Sequence, residues 1–168
     1  GGAGSQRSSG QQGLAATLRS FWQGRRVLVT GSTSFHGAWL GLVLVELGAD
    51  VVGCDIPPTN HPDAFAQLGL AERMPQHPHH PAEPGVLARL VAEVQPEAVF
   101  HLATESHEPQ SNLQTAEPYA TSLLGTLALL DALRATRSAR ALVHVITTWA
   151  YPSNDGHPQD ERQRLRGR

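Results

Sequence analysis

The segment VLVTGSTSFHGAWL, residues 27–40, decides the fold prediction for this chain. Together with the preceding arginine it contains RVLVT (residues 26–30), a β-rich run that stops at Gly31. Residues 35–47 are almost all apolar and are followed by Gly48. A short β-rich run predicts a strand, and an apolar stretch closed by glycine predicts a helix with a C-terminal cap. The segment is therefore predicted to form a strand, a turn and a helix.

The alternation of strands and helices continues beyond this segment. Strands are predicted at residues 50–56, 97–103 and 141–147, helices at 86–94 and 117–136, a short helix within 62–74 and a loop at 75–84. The strands are near-continuous apolar runs, as in a parallel sheet covered on both faces. The predicted fold class is α/β, a Rossmann-like doubly wound parallel sheet with its ligand crevice at the carboxyl ends of the strands. The largely apolar first helix is expected to pack against several neighbours.

Composition divides the chain into one domain with two polar ends. The 168 residues suffice for a single domain with a core, which we place at residues 21–151. Residues 1–20 are predicted to be a disordered arm, and residues 152–168 a polar tail. A single cysteine, Cys54, fits a reducing compartment such as the cytoplasm. The arginines and the lack of acidic residues before Glu46 leave open a leader peptide for an organelle matrix.

Charge and hydropathy exclude two classes of partner. The formal net charge is −2 and the sequence contains no lysine, so no basic footprint for nucleic acid is present. No apolar run approaches the roughly 20 residues of a membrane span. The expected partners are therefore small molecules or other proteins.

The turn after the first strand has the spacing of a dinucleotide-binding glycine motif. In that motif the first glycine makes a tight turn, the second lets the backbone approach the pyrophosphate, and the third lets the helix pack on the strand. Gly31 and Gly37 occupy the first and third positions, and Ser34 the second. If that position requires a positive φ, serine costs on the order of 1 kcal/mol. Ser34 can also cap the helix and donate its hydroxyl to a phosphate.

Asp55 ends the second predicted strand. A carboxylate there can accept hydrogen bonds from both ribose hydroxyls of adenosine and repels a 2′-phosphate, which favours NAD over NADP. The alternative is an aspartate that serves only a turn at the strand end. We predict a weak NAD site formed by Gly31, Ser34, Phe35, Gly37 and Asp55.

Histidines supply the other candidate sites. Four of them lie near one another in the sequence: His61, His77, His79 and His80. Imidazole clusters bind zinc or copper, but prolines interrupt this one and no helix face aligns it, so a solvated loop without metal is predicted. His101 lies within an apolar strand and is predicted to be a hydrogen-bonded core residue. His36 faces either a cofactor phosphate or solvent.

Five stretches together carry a resemblance to a known family. They are FWQGRRVLVTGSTSFHGAWL, ELGADVVGCDIPP, LGLAERM, PEAVFHLA and LLGTLALLDALRAT. The chain resembles the extended short-chain dehydrogenase/reductase family, and within it the NAD-dependent CDP-glucose 4,6-dehydratases, over about residues 21–151. The resemblance implies a Rossmann-like nucleotide half, here truncated after about the fifth strand. It also implies an activity in which NAD⁺ takes a hydride from the sugar C4 and returns it to C6 after water is expelled.

This chain keeps the residues that the resemblance assigns to the scaffold and differs at the positions that it assigns to catalysis. The resemblance implies a cofactor contact at Ala103 and a substrate-orienting hydroxyl at Thr147. The acidic and basic partners expected next are Thr148 and Trp149, and the stretch expected to hold adenine reads HPHHPAEP, residues 77–84. The family's catalytic Tyr-x-x-x-Lys pair has no counterpart, because this sequence has no lysine.

We therefore predict the nucleotide-binding half of an NAD-dependent sugar-nucleotide 4,6-dehydratase that is not catalytically competent alone. One alternative is a fragment of an active dehydratase, with the catalytic pair and the sugar-nucleotide site supplied by further sequence. Another is a non-catalytic structural subunit. Because the last predicted strand, ALVHVIT, would lack its usual cover, we expect it to associate with a second copy or with another protein.

Overall fold

The computed structural model describes residues 3–56, 64–103 and 117–146, together with Asp160 and Arg162, and only the backbone of residues 3–12 and 117–121. The helices are α1 (Ala3–Trp22), α2 (Phe35–Glu46), α3 (Ala64–Gln67), α4 (Val86–Val94) and α5 (Glu117–Thr136), and a 3₁₀ turn spans Leu70–Glu72. The strands are β1 (Arg26–Thr30), β2 (Asp50–Cys54), β3 (Gln76–His77), β4 (Ala98–His101) and β5 (Ala141–His144). In the described ranges, no helix has the length and apolar content that crossing a membrane requires.

The five strands of the described ranges form one parallel sheet in the order β3-β2-β1-β4-β5. Leu28, in the central strand β1, is opposite Val52 on one side and Val99 on the other. From β1 the chain runs outward through β2 to β3 and then returns to the other side of β1, where it continues through β4 to β5. This reversal places a topological switch point between β1 and β4. The predicted Rossmann-like, doubly wound sheet is confirmed.

Alternate residues of the central strand point into two separate cores. Val27 and Val29 join a cluster with Leu44, Leu70 and Met74 on the face covered by α2. On the opposite face Leu28 and Cys54 join a cluster built from α4 and α5, whose buried residues include Leu87, Leu90, Val91 and Leu129. Each fully buried Leu or Val contributes roughly 1.5–3 kcal/mol relative to exposure, so both helix layers are held on the sheet.

The predicted disordered arm is instead helical. Helix α1 runs from Ala3 to Trp22, through most of the stretch expected to lack order. Its second half, GLAATLRSFW, is rich in alanine and leucine, which favour helix. At its end Trp22 packs on the core, with its ring 6.0 Å from that of Phe100, and so joins the helix to the domain.

The predicted loop at residues 75–84 contains the short strand β3. Only Gln76 and His77 pair with β2, opposite Gly53 and Cys54. A strand of two residues is too short for a period to be visible in the sequence. Prolines on both sides are tolerated because β3 lies at the edge of the sheet.

Among the described residues, exposed apolar side chains lie on α2, on α5 and at β5. Helix α2 packs against β1, β2, α3 and the 3₁₀ turn, as expected. One side of it stays open, where Phe35, Trp39 and Val43 are 47–66% exposed. Glycine and alanine supply much of its buried face, so the helix lies close to the sheet on that side only. At the other edge, β5 pairs with β4 alone, and all of residues 141–146 are exposed.

Candidate functional site

Gly31 makes the turn that follows β1. Its φ of +71° lies in the left-handed region, and a Cβ here would lie 2.7 Å from the backbone N of Ala103 and from the carbonyl carbon of Leu102. The N–H of Gly31 donates to the carbonyl oxygen of Cys54 at 3.0 Å. The turn is thereby held between the ends of β2 and β4, where only glycine fits.

Gly37, in the first turn of α2, packs on the same turn. A Cβ on Gly37 would overlap the carbonyl oxygen of Gly31 and lie 2.9 Å from the Cα of Ser32. The helix can approach this closely only without a side chain there. The structural roles predicted for the two glycines are confirmed, and their contact with a cofactor stays a prediction.

Ser34 caps helix α2. Its backbone is extended, with φ −62° and ψ 160°, so the strain considered for a positive φ does not arise. The side-chain Oγ accepts a hydrogen bond from the Gly37 N–H at 3.1 Å and donates to the Gly31 carbonyl oxygen at 2.7 Å. The predicted cap is confirmed. The Ser34 hydroxyl could donate to a phosphate only by giving up its hydrogen bond to the Gly31 carbonyl oxygen.

This cap gives a stability prediction. We expect Ser34→Ala to lower the free energy of unfolding by about 1 kcal/mol, because the Gly37 N–H loses its acceptor. Ser34→Gly, which leaves that N–H more open to water, is expected to cost only a few tenths of a kcal/mol. Urea unfolding of the two variants measures the difference, and equal effects of alanine and glycine would contradict the capping role.

The N-terminus of α2 offers unpaired donors at the carboxyl edge of the sheet. Within the described residues, the N–H groups of Phe35 and His36 have no acceptor, and the first helical turn carries no acidic side chain. Both side chains are exposed, so His36 faces solvent in this structure. N–H groups in this position, together with the helix dipole, attract anions such as phosphate.

Asp55 lies beside this turn and is held by it. Oδ2 accepts from the Thr33 N–H at 3.0 Å and from the Thr33 hydroxyl at 2.7 Å. Oδ1 accepts from the N–H of Ile56 at 2.9 Å. The carboxylate is therefore positioned next to the glycine turn, as an adenosine-ribose ligand should be, but much of its hydrogen-bonding capacity is already used.

Gln76 is a site neighbour that the sequence did not indicate. Its Oε1 accepts from the hydroxyl of Ser32 at 2.7 Å, while its buried Nε2 has no acceptor among the described residues. The amide lies directly against Gly53, where any Cβ would overlap it. Gln76 thus ties the glycine turn to β3 across β2.

The remaining predicted site residues divide into two groups. Ala103 follows β4 and adjoins Gly31, so the structure gathers all the predicted cofactor residues at one edge of the sheet. Thr147, the predicted substrate-orienting residue, lies outside the described residues, as do Thr148 and Trp149. No sequence pattern indicated Thr33, whose contact with Asp55 depends on the fold.

The histidine-rich stretch forms local contacts. His79 Nδ1 lies 3.5 Å from Glu83 Oε2, and His80 Nδ1 accepts from the N–H of Ala82 at 3.1 Å. The pKa of Glu83 lies below its usual value, mainly because its carboxylate accepts a hydrogen bond from the His80 N–H. The nearby His79 and His80 side chains lower this pKa further. Among the described residues, no three His, Cys, Asp or Glu side chains are grouped to hold a metal ion. His61 lies outside the described residues.

Cys54 is buried at the end of β2. Burial first, and then the charges of Asp55 and Glu83, raise the pKa of its thiol to about 12. The thiol is therefore protonated at neutral pH, and thiolate chemistry is not available at this edge of the site.

Solved structures share this fold. Epimerase Mth375 of Methanothermobacter thermautotrophicus matches with a TM-score of 0.72 over 89% of this chain and 44% of its own, at 21% identity. The UDP-glucose-4-epimerase of Stenotrophomonas maltophila, solved with bound NAD and formylated UDP-arabinopyranose, matches with a TM-score of 0.71. That match covers 84% of this chain and 42% of the epimerase, at 22% identity. These likenesses establish the fold.

The sequence decides the family. Residues 27–166 match the NAD dependent epimerase/dehydratase family. The chain belongs to this family. The match begins at β1 and includes both the glycine turn and Asp55, and it confirms the resemblance to the extended short-chain dehydrogenase/reductases.

Individual members of the family agree with the dehydratase resemblance. The CDP-glucose 4,6-dehydratase of Salmonella typhimurium is 34% identical over 137 residues, which are 82% of this chain and 38% of that enzyme. The dTDP-glucose 4,6-dehydratase 1 of Escherichia coli is 32% identical over 111 residues, 65% of this chain and 31% of that enzyme. The chain thus spans less than two-fifths of the length of these curated relatives.

Proposed function

We propose that this chain is the NAD(H)-binding half of a sugar-nucleotide 4,6-dehydratase-like protein and binds the dinucleotide weakly. The observation that carries the proposal is the close contact of Gly31 with Gly37 in the turn after β1, beside Asp55 and the unpaired N–H groups of α2. The pyrophosphate would lie on those N–H groups. Asp55 would accept from the adenosine ribose and repel a 2′-phosphate, so NAD is preferred over NADP.

Three features support weak rather than tight binding. Ser34 stands where a glycine would let the backbone come nearest to the pyrophosphate. The carboxylate of Asp55 is largely occupied by Thr33 and Ile56. The stretch after β3 reads HPHHPAEP and has little in common with the adenine-binding stretch implied by the family resemblance.

We further propose that the 168-residue chain does not dehydrate a sugar nucleotide by itself. Bound NAD⁺ would supply a temporary hydride acceptor. The chain's own residues, however, include no lysine to lower the pKa of a tyrosine that takes the proton from the sugar hydroxyl. Thr147 would then orient a sugar nucleotide only with a complementary catalytic segment in place.

Calorimetry and a turnover assay test both statements. We expect NAD⁺ to bind with a Kd on the order of 0.1–1 mM, and NADP⁺ about tenfold more weakly. Incubation with NAD⁺ and CDP-glucose should give no 4-keto-6-deoxy product. Asp55→Asn keeps the shape of the side chain but removes its charge, so it should reduce the preference for NAD⁺. Undetectable binding would reject the site. A Kd near 1 µM for NAD⁺ would reject weak binding. Product above background would reject the proposed inactivity of the chain.

A second candidate is a role in assembly, favoured by the exposed edge strand. All of residues 141–146 are exposed, including Leu142, Val143, Val145 and Ile146. Apolar edge strands of this kind pair readily with another chain. We propose association through β5 with a second copy or with another protein. Sedimentation across a range of protein concentrations tests the first partner, and a monomer throughout would exclude it.

A further inference from the structure

We propose that Thr33 limits the affinity of the site by competing with the ribose for Asp55, an inference that rests on the proposed NAD site. A carboxylate offers about four lone-pair positions. The N–H and hydroxyl of Thr33 both donate to Oδ2, and the N–H of Ile56 donates to Oδ1. One position is therefore left, on Oδ1.

The adenosine ribose presents two neighbouring hydroxyls, so full recognition needs two acceptor positions. With one free position, a single ribose hydroxyl can bind without disturbing the site. The second must displace a donor from Oδ2. The Thr33 N–H is fixed by the glycine turn, whereas its hydroxyl can rotate, so the hydroxyl is the group that yields.

The structure supplies a second acceptor for the displaced hydroxyl. Thr33 Oγ1 lies 3.2 Å from the carbonyl oxygen of Ile56, in addition to 2.7 Å from Asp55 Oδ2. Rotation toward Ile56 would release Oδ2 to the ribose without leaving the Thr33 hydroxyl unpaired. The cost of displacement is then a fraction of a hydrogen bond to a charged group, which lowers ribose affinity by about threefold to tenfold.

Thr33→Val tests this competition, because valine matches the shape of threonine and retains the backbone N–H while lacking the hydroxyl. Two probes are titrated by calorimetry: NAD⁺ and its analogue lacking the 2′-hydroxyl of the adenosine ribose. For the unmodified chain we expect the two to differ by about twofold or less. For Thr33→Val we expect NAD⁺ to bind about threefold to tenfold more tightly, and the affinity for the deoxy analogue to rise by less. The ratio of the two dissociation constants should therefore increase. Thr33→Ser, which retains the hydroxyl, should behave as the unmodified chain.

The outcomes separate this inference from the proposed function. If the unmodified chain binds NAD⁺ and Thr33→Val binds it equally or more weakly with an unchanged ratio, Thr33 only positions Asp55 and the competition is rejected. If neither chain binds NAD⁺, both the inference and the NAD site are rejected. Binding by Thr33→Val alone would support the competition but reject the proposed binding of NAD⁺ by the unmodified chain. Thr33→Ala provides the same test should the valine variant fail to fold, as judged by thermal unfolding.

Discussion

Replacing Gly37 with alanine is expected to lower the free energy of unfolding by about 3 kcal/mol. The added Cβ would overlap the carbonyl oxygen of Gly31 and approach the Cα of Ser32 to 2.9 Å. These are backbone atoms, and the hydrogen bond from Gly31 to the end of β2 keeps the turn in place. Neither the helix nor the turn can move away without loss of sheet contacts. The clash outweighs the gain of about 1 kcal/mol that alanine brings to a helix.

Gly125→Ala is the matched control, since Gly125 is also a buried glycine within a helix. A Cβ there would meet the atoms of Ala82 at 3.6–3.7 Å, an ordinary van der Waals distance. We expect this variant to be neutral or up to about 1 kcal/mol more stable. Urea unfolding measures both variants, and similar free energies for the two would show that close packing at Gly37 is not what holds α2 to the turn.

The second large effect is a loss of stability on acidification, caused by His101. This side chain is buried at the end of β4, between the hydroxyls of Thr30 and Thr126. Thr126 donates its own proton to the carbonyl of Ser122 at 2.8 Å, so its oxygen accepts from His101 Nε2–H, and Nδ1 accepts from Thr30. The hydrogen bonds therefore suit the neutral ring.

Burial first, and then the nearby His144, lowers the pKa of His101 from 6.5 to about 4. Above pH 6.5 the ring is neutral in both folded and unfolded chains and has no effect on the pH dependence. Between pH 6.5 and about 4 the unfolded chain takes up a proton that the folded chain does not. The free energy of unfolding should therefore fall by about 1 kcal/mol for each pH unit in this window.

Urea unfolding at pH 7.5 and pH 5 measures this loss, with His101→Leu as the reference. Both proteins share every other titrating group, so the difference between their pH slopes reports His101. We expect the leucine variant to be less stable at pH 7.5 but to lose less on acidification. His144→Gln should retain most of the slope, because burial is the main cause of the shift. Identical slopes for the unmodified chain and His101→Leu would contradict a neutral, buried His101.

Local sequence determined most of the fold. Strand β1 and helices α4 and α5 lie at the predicted residues because each has a hydrophobic pattern long enough to set its own period. Helix α1 was missed because its glycines and serines masked a helix-forming second half that the core holds through Trp22. Strand β3 was missed because two residues carry no period, and it exists only through its pairing with β2.

The same division holds for the site. The sequence was enough to locate the glycine turn, because the turn and the close packing there each require a glycine. It also located Asp55, which ends the second predicted strand. Only the tertiary structure decided what these residues do to one another: Ser34 closes back on the turn, and Asp55 accepts from Thr33 across 22 residues of chain. His101 meets Thr30 across 71 residues. Such contacts depend on which strand ends are neighbours in the sheet. The hydrophobic pattern of one segment does not say which strands will lie beside it.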